Sequence, residues 1–483
     1  MKEILISIDL GTTRLKVAAF SPRGTLHHQL AKRHRDRHAQ QPGREETYVW
    51  QDADEWWHDA ASLVAELVRE LRPDKVIGIS LSGRGGAGVF TDANGIVVAH
   101  PWSDMRHRVE LQRLYGWRTG NYLPNYGAAL LAKYHWLENH EPVRAKKVAY
   151  AFYAKDFLLF RLTGVHKTDW SSGPDRDHWD AALFAELGVP RDLLPAPALP
   201  WELAGGLAAG AATVMGIDSG VPVAVGAHDG ICANAGAGAT RPGEYAVTLG
   251  THAVVRAVMD VPPSDGYRFY SLPENRHIMG GNALLGGRSA DWFLDLIDSG
   301  ERSREELFVQ MDRAAAKVSP GAAGIHFLPF LAGQLAPHLR PGARAMFSGI
   351  GVNHGRAEMY RAVLEGTGFA IKNIFDQVRG WCGEPSRVRL TGGGAQSNVW
   401  TNLLAAILDH PLECSDEAVE GRGAAIFLAV ALGIHPSYDT AADVMVPVTR
   451  TIDPTPDDVE TYRAVFENWS RLNGLSREFD GDS

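Results

Sequence analysis

The strongest constraint on how this chain can fold is a repeat within it. Ile4 to Val17 reads as a strand, a turn at Asp9-Leu10-Gly11-Thr12-Thr13 and a second strand. Glu244 to Val255 reads the same way, with Thr248-Leu249-Gly250-Thr251-His252 at its turn. Apolar runs bounded by turn residues are strand signals. The echo continues: Asp54 to Leu71 is helical and precedes the apolar run Val76 to Leu81, as helical Ala357 to Val378 precedes Val388 to Leu390. This alternation predicts a mixed α/β fold made of two similar cores in tandem. Their junction is expected near Thr240-Arg241-Pro242-Gly243, where a Gly/Ala-rich helix meets turn residues, giving domains 1–242 and 243–483. A cleft between two such cores is a favourable place for a ligand.

The length of 483 residues suits this reading, at roughly 100–200 residues per domain. With 45% hydrophobic and 22% charged residues, the composition excludes collagen-like, disordered and coiled-coil chains. The net charge of -9 argues against a nucleic-acid partner, while local loops can still hold a small anion. Cys232, Cys382 and Cys414 form no CxxC pair, so zinc knuckles and thioredoxin-type sites are not expected, and the sparse, odd count fits a reducing compartment. Met1 to Ile6 enters a strand-like run without signal-peptide character. No segment reaches the roughly 18 apolar residues of a membrane span. The expectation is a soluble, cytoplasmic protein without nucleic-acid or membrane partners.

Along the chain, Trp57, Ala60, Leu63, Val64, Leu67 and Leu71 share one helix face, with Asp54 as the expected N-cap and Pro73-Asp74 as the stop. The basic stretch His27 to Arg44 reads as a solvated strand and loop. Within it, His34 and His38 could share a helix face for a metal, but their flanks are charged and no third ligand is evident. Gly83-Arg84-Gly85-Gly86-Ala87-Gly88 matches GxGxxG after a strand, with Asp104 placed as a dinucleotide fold would want. The next segment, Val89 to Val98, reads as a hairpin with an Asn94-Gly95 turn and not as a helix. A dehydrogenase is therefore rejected, and no GK[ST] ending supports a P-loop.

The loops that could do chemistry are few. In Asp9 to Thr13, Gly11 would let the backbone turn, the Gly11, Thr12 and Thr13 amides could point at a phosphate, and Asp9 could hold a magnesium ion through water. Taken alone, the pentapeptide is as well explained as a plain hairpin turn. Thr248 to His252, with Gly250 and Thr251, offers the same donors without the acid, and the pairing of the two loops is more informative than either. Thr391-Gly392-Gly393-Gly394-Ala395-Gln396-Ser397-Asn398 follows a strand and opens a helix, where glycines admit a flat ring and a helix N-terminus favours polar ligand groups. Val223-Ala224-Val225-Gly226-Ala227-His228-Asp229-Gly230 ends an apolar strand with an acid, and Asp229 would sit at the start of the small-residue helix Ile231 to Ala239, where the dipole favours an ionised carboxylate able to accept a proton. A helix-capping Asp is the competing account of the same residue.

In order along the whole chain, these residues resemble the FGGY carbohydrate kinases, the family of xylulokinase, glycerol kinase and gluconokinase. The resemblance is carried by Asp9 to Lys16, Gln51-Asp52 with Trp56-Trp57, Trp102-Ser103-Asp104-Met105-Arg106, Thr119-Gly120-Asn121 through Lys133 and Trp136, Lys155-Asp156-Phe157 to Thr163-Gly164, Phe327 to Gly333, and Thr391 to Ser397. It implies an actin-like ATPase architecture of two tandem ribonuclease-H-like domains around a central cleft, using ATP and Mg2+ on a small-molecule sugar, with a homodimer as a family-level expectation. It also implies roles: Asp229 as catalytic base, Asp9 as magnesium holder, and Gly11, Thr12, Thr13, Gly250 and Thr251 as phosphate contacts. Gly393, Gly394 and Asn398 fall on the adenosine side, and Ser82, Arg84, Asp104 and Asp229 on the sugar side.

Several positions depart from the xylulokinase pattern. Ser82-Gly83-Arg84 stands where Gln-Met-His is usual, Trp50 replaces an acid, Gly333-Gln334-Leu335 replaces Gly-Glu-Arg, Ala406 replaces an acid, and His228 precedes the base. These changes leave the base and the first phosphate loop intact and bear on the sugar. A ketopentose such as D-xylulose is the first expectation; a sugar acid, deoxyketose or polyol is the alternative, Arg84 being suited to a carboxylate unless it is tied to Asp104. Sugar-driven domain closure is expected to exclude water. A non-catalytic actin-fold regulator is the competing class, and the retention of Asp9 and Asp229 speaks against it.

Overall fold

The computed structural model describes residues 3–40, 47–116, 126–172, 188–263, 268–272, 274, 276–298, 303–415 and 418–479. The chain divides into two compact units. One comprises Met1–Thr240, Tyr270–Arg276 and Ala418–Val446; the other comprises Arg241–Phe269, His277–Glu417 and Pro447–Ser483.

In the first unit the strand Glu3–Leu10 is central. It pairs antiparallel with Arg14–Phe20, closing the hairpin at Leu10↔Leu15, and parallel with Lys75–Gly83 on its other side. Leu26–Arg33 extends the sheet beyond Arg14–Phe20, and Pro222–Ala224 and Leu203–Gly206 extend it beyond Lys75–Gly83. Every residue from Ile4 to Leu10 is buried, as expected of a strand covered on both faces. Ile4, Ile6, Ile8 and Leu10 pack with Trp56, Trp57, Ala60, Val64 and Leu67 of the helix Ala53–Leu71. The helix Val419–Ala431 meets the opposite face: a Cβ on Gly421 would come 2.8 Å from Ser7 Oγ. That helix lies late in the chain, inside the stretch expected to form an uninterrupted second half. It packs backbone to backbone on the helix Asp229–Ala237, since a Cβ on Gly236 would fall 1.8 Å from the Val419 carbonyl oxygen and one on Gly423 1.9 Å from that of Cys232.

The second unit repeats the plan. Glu244–Leu249 pairs antiparallel with Ala253–Met259, which pairs antiparallel with Arg276–Ala283; on its other side Glu244–Leu249 pairs parallel with Arg387–Thr391, which pairs parallel with Leu412–Cys414. The 27-residue helix Arg356–Cys382 precedes Arg387–Thr391, as Ala53–Leu71 precedes Lys75–Gly83. Both units even end on an antiparallel strand, Leu203–Gly206 and Arg450–Ile452. The α/β, ribonuclease-H-like expectation is thus met in each unit.

Some local expectations change. Asp52, not Asp54, caps the first helix, and its side chain accepts from the Asp54 amide at 3.0 Å. His34 and His38 share no helix. His38 lies in the strand Arg37–Gln40, and His34 Nε2 bonds to the Gly11 carbonyl at 3.1 Å. No metal-binding cluster of His, Cys, Asp or Glu occurs among the described residues. The rejected dinucleotide loop does lead into a hairpin, with Phe90↔Ala99 and Thr91↔Val97 paired antiparallel. Among the described residues, no helix is long and apolar enough to cross a membrane.

Candidate active site

The first unit gathers charge at one end of its central strands. Asp9 sits one residue before the end of Glu3–Leu10, directly beside Ser82 in the parallel pairing. Its carboxylate accepts from Ser82 Oγ at 2.8 Å and faces the Lys16 ammonium at 3.4 Å. Lys16 is paired with Asp9 by the hairpin register and reaches Glu420 Oε2 at 3.1 Å across 404 positions of sequence. At 3% exposure Asp9 is costly to ionise. Its carboxyl is pushed up to about 6: burial raises it most, Lys16 opposes that, and Glu420 and Asp229 add to the rise.

The bend itself is held by its carbonyls. The Gly11 carbonyl accepts from His34, and the Thr12 carbonyl accepts from Gln51 Nε2 at 3.2 Å and Arg84 Nη1 at 3.3 Å. The Thr13 carbonyl accepts from the His34 amide at 2.9 Å. Thr12 and Thr13 are exposed, and their amides make no hydrogen bond among the described residues, which suits anion capture. Gly11 is not in the left-handed region as a sharp turn would require. Its lack of a side chain matters because a Cβ would come 3.1 Å from the Arg14 carbonyl oxygen.

Asp229 arrives on a broken strand. Ala227–His228 pairs parallel with Lys75–Gly83, Ala227 opposite Ser82 and His228 opposite Gly83. Asp9 and Asp229 are thereby carried to the same end of one sheet, flanking the strand that bears Ser82. Asp229 is the first residue of its helix; the cap is His228, whose Nδ1 accepts from the Gly230 amide at 3.0 Å and lies 3.1 Å from Asp229 Oδ1. The capping account of Asp229 is therefore displaced onto its neighbour, and the carboxylate, at 32% side-chain exposure, remains reachable.

On the expected sugar side, Arg84 is not tied to Asp104. Its Nη2 donates to Gln51 Oε1 at 3.1 Å, its guanidinium lies 5.3 Å from the Trp56 ring centre, and burial lowers its pKa to about 10 while Asp229 opposes that shift. Asp104 instead accepts from Arg106 Nε at 2.7 Å and from the Val49 amide at 2.8 Å, so it joins two loops. It would have to release one of these donors to touch a sugar. Sequence reading gave no role to Lys133, which is 3% exposed, donates to the Trp102 carbonyl at 2.6 Å, and is pushed down to about 7 by burial and by Arg84. Thr119-Gly120-Asn121 lies outside the described residues.

The second unit offers a different surface. The Gly250 and Thr251 carbonyls accept from the amides of Gly287 at 2.7 Å and Gly286 at 2.9 Å. Gly286 allows this approach, as a Cβ there would fall 2.7 Å from the Gly250 oxygen. Sequence reading missed Gly286-Gly287, although a glycine pair opening a helix was a visible signal. Of the glycine run, Gly392 (φ +94°) and Gly394 are fixed by close packing on Leu249; a Cβ on Gly394 would come 2.5 Å from Leu249 Cγ. Gly393 is exposed, with nothing within 4 Å of an added Cβ, which leaves a bare backbone surface of the kind a flat ring can approach. Asn398 opens the next helix, with Ser397 as its cap, and the Asn398 side chain accepts from Arg450.

These features fit the groups that the sequence resemblance implies. A buried carboxylate with a single ammonium at salt-bridge distance on its own hairpin suits a divalent cation, and the exposed bend amides suit phosphate.

Residues 4–236 match the N-terminal domain, and residues 248–432 the C-terminal domain, of the FGGY family of carbohydrate kinases. The chain is 27% identical to a xylulose kinase of Staphylococcus epidermidis, covering 100% of this chain and 99% of that protein. It is 29% identical to a gluconokinase of Bacillus licheniformis over 98% of this chain and 96% of that protein. The crystal structure of xylulose kinase from Rhodospirillum rubrum superposes with a TM-score of 0.85 at 25% identity, covering 99% of each chain.

Proposed function

The chain belongs to the FGGY family of carbohydrate kinases, and on that premise we propose that Asp229 is the base that accepts the proton of the sugar hydroxyl being phosphorylated. FGGY carbohydrate kinases use ATP with Mg2+. The observation that carries the assignment is the placement of Asp9 and Asp229 at one end of the first unit's sheet, with the Asp229 side chain partly open.

In phosphoryl transfer the protein mainly positions groups and neutralises charge. Asp9 would hold magnesium through water; bound there, the ion supplies positive charge against the oxygens of the transferred group. The Thr12 and Thr13 amides and hydroxyls beside Gly11 would orient phosphate oxygens, as would Gly250 and Thr251 in the second unit. Gly393, Gly394 and Asn398 would take the adenosine side. Ser82 keeps the Asp9 carboxylate oriented, and Asp229 orients the acceptor hydroxyl. Asp229→Ala is expected to lower turnover by about 10²–10⁴-fold while ATP still binds. Near-normal turnover in a clean preparation ends the assignment.

The relatives named xylulose kinase make a ketopentose such as D-xylulose the first acceptor. A sugar acid is the second reading, favoured by one observation. Arg84 and Lys133 are both largely buried, and neither has a carboxylate within ion-pair distance among the described residues. A substrate carboxylate would pair with the Arg84 guanidinium and favour the charged form of Lys133. Labelled ATP with ketopentoses, sugar acids, deoxyketoses and polyols decides among them, and binding without transfer across the whole panel would instead support a regulator. A homodimer and a cytoplasmic location complete the proposal; light scattering of the purified chain tests the first.

A further inference from the structure

A buried ion cluster is linked to the segment before Asp229 through Ser171 and His228. Lys155 is 1% exposed, and Asp156 and Asp169 are 0% exposed. The Lys155 ammonium contacts Asp156 and lies 2.8 Å from Asp169 Oδ1. Asp169 also accepts from the Ser171 amide at 2.8 Å, from the Ser171 hydroxyl, and from the Ser172 hydroxyl at 2.6 Å. Charges buried together are a weak source of stability compared with apolar packing of the same volume, and the hydrogen bonds they make are directional.

What this cluster grips is the break in the strand that delivers Asp229. Regular pairing stops at Ala224 and resumes at Ala227. Between them Gly226 takes φ +72°, and a Cβ there would fall 1.9 Å from the Leu81 carbonyl oxygen. On one side of the break Lys155 donates to the Val225 carbonyl at 3.4 Å. On the other, the His228 amide donates to Ser171 Oγ at 3.0 Å, and Ser171 passes its own proton toward Asp169. Lys155 also packs against Gly83, the residue opposite His228 in the sheet; a Cβ on Gly83 would come 2.8 Å from Lys155 Cβ.

Resting on the reading of Asp229 as the base, we propose that Lys155, Asp169 and Ser171 are positioning residues that hold the Gly226 break in the conformation aiming Asp229 at the acceptor hydroxyl. None of them touches the reactants.

The test is steady-state kinetics of the full chain with a sugar that supports turnover, alongside calorimetric binding of that sugar and thermal melts. Ser171→Ala is expected to lower kcat by about 10–100-fold, the scale of a misplaced reacting group, with both KM values and the sugar affinity within about two-fold. Ser171→Thr, which keeps the hydroxyl, should recover most of kcat. Unchanged kcat in Ser171→Ala overturns the proposal. So does a Ser171→Thr protein with normal melting and the same loss, or sugar affinity that falls in step with kcat. If Ser171→Ala does not fold, Asp169→Asn, which keeps the volume, is read by the same outcomes. Asp229→Asn run in parallel separates the two ideas: wild-type turnover there sinks the base itself, whereas an inactive Asp229→Asn with a fully active Ser171→Ala sinks only the positioning.

Discussion

The two hairpin bends occupy the same place in the same strand order, yet they are built from different chemistry. In the first unit the position before Leu-Gly-Thr is Asp9, beside Ser82; in the second it is Thr248, beside Thr391. Ser82 donates to Asp9 at 2.8 Å, and Thr391 donates to Thr248 at 3.3 Å. The nearby cation is Lys16 in one case and Arg256, 3.2 Å from Thr248 Oγ1, in the other. A shared scaffold thus carries a carboxylate on one side and a hydroxyl on the other. The topology places the two bends alike, and on the proposed reading a single side chain, Asp9 against Thr248, sets apart the bend that would also hold a metal.

The comparison breaks most directly on turnover. Asp9→Asn is expected to lower kcat by about 10²–10³-fold, the scale of losing one preorganised charge, whereas Thr248→Val should cost no more than about ten-fold. Similar losses in the two variants, measured at saturating magnesium, would show the bends to be equivalent.

Stability separates them in a second way. Gly394→Ala drives a methyl into Leu249 beneath the second bend and should cost about 1–3 kcal/mol in denaturant melts. Gly11→Ala meets one carbonyl at 3.1 Å and should cost less than about 1 kcal/mol. The reverse ranking would mean that the first bend is the more rigid.

The pH dependence sharpens the contrast. Burial holds the Asp9 carboxyl at about 6, against an ordinary 3.8. Between those values the folded chain keeps a proton that the unfolded chain has lost, so stability falls as pH rises through this window. Asp9→Asn should therefore be more stable than the parent at pH 7.5, by up to about 3 kcal/mol, and the gain should fade below pH 6 and vanish near pH 4. Thr248→Val should show no such trend. Equal melting temperatures of Asp9→Asn and the parent at pH 7.5 would mean that Lys16 and Ser82 fully offset the burial. The smallest effect expected is a few-fold rise in KM for ATP in Gly393→Ala with unchanged melting, since nothing in the protein opposes the added methyl.

Legibility in the sequence followed distance along the chain. The repeat, the helix Ala53–Leu71 and the rejection of the dinucleotide loop rested on neighbouring residues, because period and turn chemistry are local. The capping role moved from Asp54 to Asp52 because either acid satisfies the same local rule. What could not be read was long-range. Glu420 is an ordinary helix-start acid until the fold brings it to Lys16. Asp104 had a visible neighbour in Arg106, but Val49 had no sequence signal. The Gly226 break looks like any strand-ending glycine until Leu81 lies against it.

The helix Val419–Ala431 has a further consequence, for synthesis at the ribosome. It covers one face of the first sheet, yet it is translated only after residues 241–417. At about 5–20 residues per second, the nascent chain carries that face, with Ser7, Lys16 and Phe20 on it, uncovered for on the order of ten to thirty-five seconds. The first unit therefore cannot complete its own sheet until nearly the whole chain has been made, because one of the last helices closes it.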